Sequence, residues 1–379
     1  SNLYNCVYCH HTYDTFESAF LYDCRNCEHC FMSANMRNKK YVFYNKQLTK
    51  EEYAERMRTI DLGDYAVFSK CLSDFEEMKN NAIHRNTFNE RAINSIGDWI
   101  VNSRDCYYVL FAHSGERLAY AQGVFGYRDS YDVIFGMSGE RCYEFMAAAV
   151  AEHNFGIKFS ALITNSHDLE YCESCYNCRN CFGCAGLMNR SYCIFNIQYE
   201  EEAYWRTVDA IKTAMLHAGE YGEFFPPALA PFPYNASLAV AYRGYDDLET
   251  ALRYGYRVES LSEDGAVPAG TEVIGSGQLP LHIRNIDDSF LAKVIVDEAN
   301  QKKFMMTRYE LEFYRKHNLP IPRIHPMVRM QEWRRRLEFR LRFFERACAH
   351  CGNMMTTGYA PERPEKNIYC EQCYHEAIG

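Results

Sequence analysis

Small and apolar residues recur at every third position along much of this chain, a spacing that fits neither the strand alternation of two nor the helical period of 3.6. The first stretch reads Leu3, Cys6, Cys9, Thr12, Thr15, Ser18, Leu21, Cys24, Cys27, Cys30, Ser33 and Met36. A step of three predicts tight coils of backbone whose inward corners accept only small side chains. A longer period of 12 runs through Arg104-Asp105, Glu116-Arg117, Arg128-Asp129, Glu140-Arg141 and Glu152-His153, and resumes after a three-residue insertion at His167-Asp168 and Arg179-Asn180. The column Val109, Ala121, Val133, Phe145, Ile157, Cys172 and Cys184 reads as interior, and Tyr107, Tyr131 and Tyr143 read as outward.

Residues 12 apart would be vertical neighbours about 4.8 Å apart in stacked coils, where like charges repel. The column Arg104, Glu116, Arg128, Glu140 alternates in sign, and Asp105, Arg117, Asp129, Arg141 alternates in the opposite phase. The pattern resembles the 12-residue coil of insect antifreeze solenoids. Their Thr-x-Thr ladder is absent, so the resemblance implies coil geometry and no ice binding. A second repeat, at an offset of 151, aligns Cys24, Cys27, Cys30 and Phe31 with Cys175, Cys178, Cys181 and Phe182, and Asn38, Tyr41 and Asn45 with Asn189, Tyr192 and Asn196.

The expected fold class is mixed β and α: two narrow β-solenoid modules of 12-residue coils, each with a capping helix, then a helical basic segment and a C-terminal zinc ribbon. Residues 1–46 form the first module, read as truncated because it begins mid-repeat; 47–79 a capping helix and connector; 80–198 the second module. Residues 199–280 form a capping helix and Pro/Gly-rich linker, 281–347 the basic segment and 348–379 the ribbon. Thr49 stands three residues before Glu52, a capping-box pattern for a helix to about Thr59. Glu200–Ala218 is the second cap, stopped by Gly219. Asp287–Glu298, Tyr309–His317 and Met327–Arg346 have helical patterning, and the Asp287-Asp288 pair reads as a helix N-terminal cap.

Composition narrows the chemistry. The chain has 379 residues with 18 Cys, 30 Tyr and 24 Phe, and its longest apolar runs fall far short of a membrane span. The start, Ser1-Asn2-Leu3, has no basic or apolar leader pattern, so a cytoplasmic protein with reduced thiols is expected. The formal charge of −9 is uneven: residues 281–347 carry 15 Lys+Arg against 9 Asp+Glu. Arg329, Arg334, Arg335, Arg336, Arg340, Arg342 and Arg346 lie among Trp333, Phe339, Phe343 and Phe344. Such a basic amphipathic segment suits nucleic acid, or an acidic surface of the same chain or of a protein partner.

Cys348-Ala-His-Cys351 and Cys370-Glu-Gln-Cys373, with 18 residues between, have zinc-ribbon spacing. Four thiolates close a tetrahedral shell, which predicts one structural zinc with His350 and His375 outside it. Cys172, Cys175, Cys178, Cys181 and Cys184 form a second set at steps of three. Their C-x2-C-x2-C spacing is also that of iron–sulfur ligation, although the Cys-Pro of ferredoxins is missing and the same columns accept Val, Ala and Ser. Buried small residues, a metal or iron–sulfur site and disulfides are the alternatives. No P-loop, dinucleotide fingerprint or nucleophile elbow is present. Histidines such as His84, His113 and His153 read as surface residues.

Asn180-Cys-Phe-Gly-Cys-Ala-Gly-Leu-Met-Asn-Arg-Ser-Tyr-Cys-Ile-Phe-Asn196, Gly222-Glu-Phe-Phe-Pro-Pro227, Glu310-Leu-Glu-Phe-Tyr-Arg-Lys-His-Asn-Leu-Pro320 and Tyr359-Ala-Pro-Glu-Arg-Pro364 resemble segments of Cys-rich repeat proteins with a C-terminal zinc ribbon. That group is typical of candidate-phyla bacteria with reduced genomes, and the match runs from about Asn80 to the end. The resemblance implies an architecture and no activity. Relatives have another ribbon before the Leu-Glu-Phe-Tyr motif, whereas Val294–Lys303 here has no Cys.

The expected function is therefore a non-enzymatic binding protein, a solenoid platform whose basic segment contacts nucleic acid or a ribonucleoprotein. The alternative is a self-assembling structural protein that associates through its solenoid ends and aromatic faces. A third class is an iron–sulfur or thiol redox protein using the C-x2-C-x2-C runs.

Overall fold

The computed structural model describes residues 2–146, 152–237, 248–259, 267, 269–337 and 342–378. Its architecture grows from a backbone rhythm. Asn5, Tyr8, His11, Asp14, Glu17, Phe20, Asp23, Asn26, His29 and Met32 all lie in the left-handed region, with φ between 47° and 56°. Each such residue costs a non-glycine side chain on the order of 1 kcal/mol. Two extended residues followed by one left-handed residue turn the chain every three positions, and the residue after each corner points inward. Thr12, Thr15, Ser18, Cys24, Cys27 and Cys30 are buried in this way.

The inward residues are interchangeable because each offers a short donor. Thr15 Oγ1 donates to the Tyr13 carbonyl at 2.9 Å, Ser18 Oγ to Phe16 at 2.7 Å, and Cys24 Sγ to Tyr22 at 3.4 Å. Each adds a donor to a carbonyl two residues back, where those of Tyr13 and Tyr22 also accept from Asn26 N and Asn35 N of the next coil.

Parallel pairing joins residues 12 apart. Val7 lies opposite Ala19 and Ala19 opposite Phe31 in the first sheet; Arg104 lies opposite Glu116 and Glu116 opposite Arg128 in the second. The alternating charges meet: Glu116 accepts from Arg104 at 2.5 Å and lies 3.3 Å from Arg128, and Arg117 grips Asp129. These pairs are largely exposed, so each contributes at most about 1 kcal/mol and chiefly sets register.

The architecture built on this register corrects the expected fold class. Six parallel strands, Gly126–Ile134, Ser138–Glu140, Tyr143–Met146, Asn154–Phe155, Lys158–Ala161 and His167–Glu170, pair in a closed ring. They make a closed six-stranded parallel β-barrel, while the N-terminal strands form a curled open sheet. Two narrow β-solenoid modules, each with its own cap, are therefore replaced by a mixed α/β fold. The cause is strand length. Gly126–Ile134 runs through a corner, so its first half pairs with Ser138–Glu140 and its second with Tyr143–Met146; the two ladders rejoin on His167–Glu170. Periodicity specifies which residues are neighbours but not how the ladders close.

Two helices cover the curled sheet. Lys50–Arg58 starts at the expected capping box, with Glu52 N donating to Thr49 Oγ1 at 3.2 Å and Thr49 N to Glu52 Oε2 at 2.8 Å. Tyr65–Asn81, a second helix where a connector was expected, is capped by Asp64, which accepts from Ala66 N and Val67 N. Its Phe75 packs on Phe20, which packs on Phe31, with ring centroids 5.8 Å and 5.6 Å apart. Phe20 and Phe31, outside the row of inward corner residues, thus form a core between this sheet and its helices. Glu201–Ala218 covers the other end at Tyr204 and Val208 and ends at Gly219, whose φ of 72° requires a residue without Cβ strain.

Residues 281–347 are less helical than expected. Asp287 accepts from Ser289 N at 2.9 Å, but it caps only a short 3-10 turn, Asp288–Ala292. Val294–Asp297 is a strand between Val273–Gly275 and Lys302–Phe304, because its β-branched run packs as a sheet. Arg308–Lys316 and Pro326–Leu337 are helices, and Phe344–Ala347 is the first ribbon strand. No helix among the described residues is long and apolar enough to cross a membrane.

Candidate metal centre and the joint it braces

The hairpin of Phe344–Ala347 and Met354–Thr357 presents the first knuckle. Its turn is closed by Cys348 N donating to the Asn353 carbonyl at 2.8 Å and Gly352 N to Cys348 at 2.9 Å. The second knuckle follows Ile368–Tyr369 and opens the helix Glu371–Ile378. Among the described residues, these four cysteines are the group whose ligand atoms converge: the sulfurs of Cys348, Cys351, Cys370 and Cys373 all lie within 4.8 Å of one another. Cys351 and Cys370 are 3.9 Å apart. A tetrahedron with Zn–S of ~2.3 Å has edges of about 3.8 Å, so the donor set fits one zinc ion.

Backbone amides tune the shell. Cys370 N and His350 N donate to Cys348 Sγ at 3.3 and 3.4 Å. Burial raises the Cys348 thiol, but these amides and the neighbouring thiols outweigh it and bring the group down to about 6. Thiolate is the form that binds metal. Cys373 is pushed up by burial and by the other thiols, the mutual repulsion that a divalent cation relieves. His350 rests against the Tyr369 ring and His375 lies 3.8 Å from Glu371, both outside the four-sulfur group as expected.

Cys172, Cys175, Cys178, Cys181 and Cys184 are buried, and their thiols turn to carbonyl oxygens. Cys172 donates to Glu170, Cys175 to Glu173, Cys178 to Tyr176, Cys181 to Arg179 and Cys184 to Phe182, at 3.3 to 3.4 Å. They behave as the Ser and Thr of the same columns do, and no iron–sulfur arrangement is indicated among the described residues.

Two of the arginines expected to meet nucleic acid or another acidic partner are engaged within the chain. Arg329 reaches Glu310 at 3.3 Å and the Tyr314 hydroxyl, and Arg346 donates to the carbonyls of Tyr359 and Ala360. Both guanidinium groups serve internal contacts. Arg342 is exposed. Arg340 and the side chains of Arg334, Arg335 and Arg336 lie outside the described residues.

The ribbon's placement has no counterpart in the spacing of its cysteines. Ile368–Tyr369 pairs in parallel with His84–Arg85, the segment that joins the curled sheet and its helices to the barrel. His84 N donates to Asn367 at 2.8 Å and Asn86 N to Tyr369 at 3.0 Å. Thr357 Oγ1 donates to the Asn86 carbonyl at 2.8 Å, and Arg85 pairs with Glu371 at 2.6 Å. On the other side, the Tyr374 hydroxyl donates to Asp23 and accepts from Arg37, each at 2.7 Å. His84 is not a surface residue: it is 1% exposed, with Nδ1 2.6 Å from the Tyr22 hydroxyl, and burial holds its imidazole down at about 4. Such long-range partners leave no local signal, apart from the apolar Ile368 set beside the second knuckle.

In comparisons with known proteins, no family model and no curated sequence matches this chain.

Proposed function

We propose that the protein is a metal-braced structural scaffold, without catalysis of its own, that associates with further copies of itself through an aromatic row on the barrel sheet. The observation that carries this reading is the row itself. Tyr107 lies opposite Ala119, Ala119 opposite Tyr131, and Tyr131 opposite Tyr143 on successive strands, so the three tyrosines share a face. They are 47%, 46% and 39% exposed, and the exposed Tyr120 ring lies 6.0 Å from that of Tyr107. Aromatic rows on a rigid sheet bury large area at little entropic cost, which is what a repeated contact needs. The ribbon supports the same reading. Its second strand and helix are engaged with His84–Asn86, Arg37 and Asp23, so it serves as an internal brace.

The test is sedimentation of the zinc-loaded protein over a concentration series. Association that rises with concentration, and that falls at least tenfold when Tyr107, Tyr131 and Tyr143 are replaced together by Ser, is the expected result. A monomer at every concentration, or unchanged association in the triple variant, overturns it.

A further inference from the structure

A cavity of about 530 Å³ lies where the curled sheet, the barrel sheet and the ribbon meet. That volume is within the range of small-molecule sites, which favour such junctions. One wall is a stack of rings from both sheets. His11 and Phe88 are 4.4 Å apart at 18°, Phe88 and Trp99 4.6 Å at 16°, and Trp99 and Phe111 6.0 Å at 24°. Asp98 stands in the same wall. Its Oδ1 accepts from Phe88 N at 2.5 Å and Trp99 N at 2.9 Å. Its Oδ2 has no hydrogen-bond partner among the described residues.

The other charged groups lining the cavity are already matched. Arg363 grips Glu365 at 2.9 and 2.6 Å, and Lys79 holds Glu76 at 2.6 Å. Burial keeps the imidazoles of His11 and His84 neutral, each held down at about 4. Asp98 is therefore, among the described lining residues, the charge without a hydrogen-bonded counter-ion; the cation whose charge reaches it, Arg85, is bonded to Glu371 at 2.6 Å. Burial pushes its carboxyl up to about 6 despite the two amides and the charge of Arg85.

We propose that this cavity binds a planar organic cation, an amidinium or protonated nitrogen heterocycle, stacked on the Trp99 and Phe88 rings with an N–H on Asp98 Oδ2. Stacked rings favour a flat ligand, and their negative faces favour a positive one. An anion would meet Asp98, and a neutral apolar ligand would bury that carboxylate unpaired. This site is independent of the self-association proposed above.

Benzamidine is a suitable probe, and benzamide is its neutral counterpart of the same shape. Titration of the zinc-loaded protein at neutral pH, read by calorimetry, should show benzamidine binding at least about tenfold more tightly than benzamide. Asp98→Asn should bring the two within about twofold, and Trp99→Leu should weaken both by about tenfold. Equal affinities in the unaltered protein, or no benzamidine binding at millimolar concentration, would overturn the proposal whatever the variants do. So would an Asp98→Asn protein that keeps the tenfold preference.

Discussion

Stripping the metal should open the joint at His84–Asn86 while leaving the interior of the curled sheet closed. The perturbation is chelation of the four-cysteine site, or Cys351→Ala as its genetic equivalent. Five of the hydrogen bonds that tie the ribbon to this segment and its neighbour are His84 N to Asn367, Asn86 N to Tyr369, Thr357 Oγ1 to Asn86, Asn86 Nδ2 to Thr356 and Asn367 Nδ2 to Asn81. At about 1 kcal/mol net each, they contribute roughly 5 kcal/mol. Structural zinc in small ribbons supplies about 10–16 kcal/mol of folding free energy, more than the seam can replace. The metal-free ribbon therefore unfolds and the seam opens with it. Amide hydrogen exchange reads this directly. Protection of the His84 and Asn86 amides should fall by ~4 orders of magnitude, the exponential of ~5 kcal/mol. Cys30 N, bonded to Ser18 Oγ inside the first sheet at 3.0 Å, should keep its protection. A metal-free sample with the His84 and Asn86 amides still protected would refute the brace.

Removing the Tyr374 hydroxyl by Tyr374→Phe leaves Arg37 and Asp23 paired at 2.9 Å but costs both of its hydrogen bonds; a fall in Tm of about 2–4 °C in a thermal melt checks this. Asp98 has a folded-state pKa raised to about 6, so the native state holds the proton where the unfolded chain has already lost it. Its contribution to stability is thus highest below pH ~4, is lost as pH rises through 6, and at pH 8 costs on the order of 2–3 kcal/mol. Asp98→Asn should accordingly raise Tm at pH 8 and leave it nearly unchanged at pH 4. Elemental analysis should find about one zinc per chain, still present after Cys175→Ala and Cys181→Ala and lost after Cys351→Ala; iron in the purified protein would contradict the carbonyl-bonded thiols.

What could be read from the chain was whatever neighbours write into each other. The capping pair Thr49 and Glu52, the cysteine knuckles and the stop at Gly219 are local, and each stands where its spacing indicated. The three-residue step was visible as Cys, Thr and Ser following Asn, Asp, His or Tyr; the structure supplies its cause, the left-handed corner before each inward residue. Pairing partners at a separation of 12 were legible as alternating charge. Closure of the barrel was not, because it depends on whether Gly126–Ile134 bends or breaks at a corner. Val294–Asp297 looked helical beside two aspartates, and only the strands on either side make it a sheet. The basic segment is only partly legible for a related reason. Arginine composition does not distinguish a guanidinium facing solvent from one bonded to Glu310 or to the carbonyl of Tyr359. Nothing beside Gly97-Asp98-Trp99 in the chain marks the cavity, which needs residues from three parts of the fold.

The seam between residues 84–86 and the ribbon also sets an order of events during synthesis. Arg85 and its partner Glu371 are 286 residues apart. At roughly 5–20 residues per second, the curled sheet and its linker leave the ribosome about 15–60 s before the strand that completes them. For that interval the N-terminal sheet has an open flank, which zinc capture by the four ribbon cysteines would close. A cell short of zinc would then accumulate chains that are fully translated yet never latched.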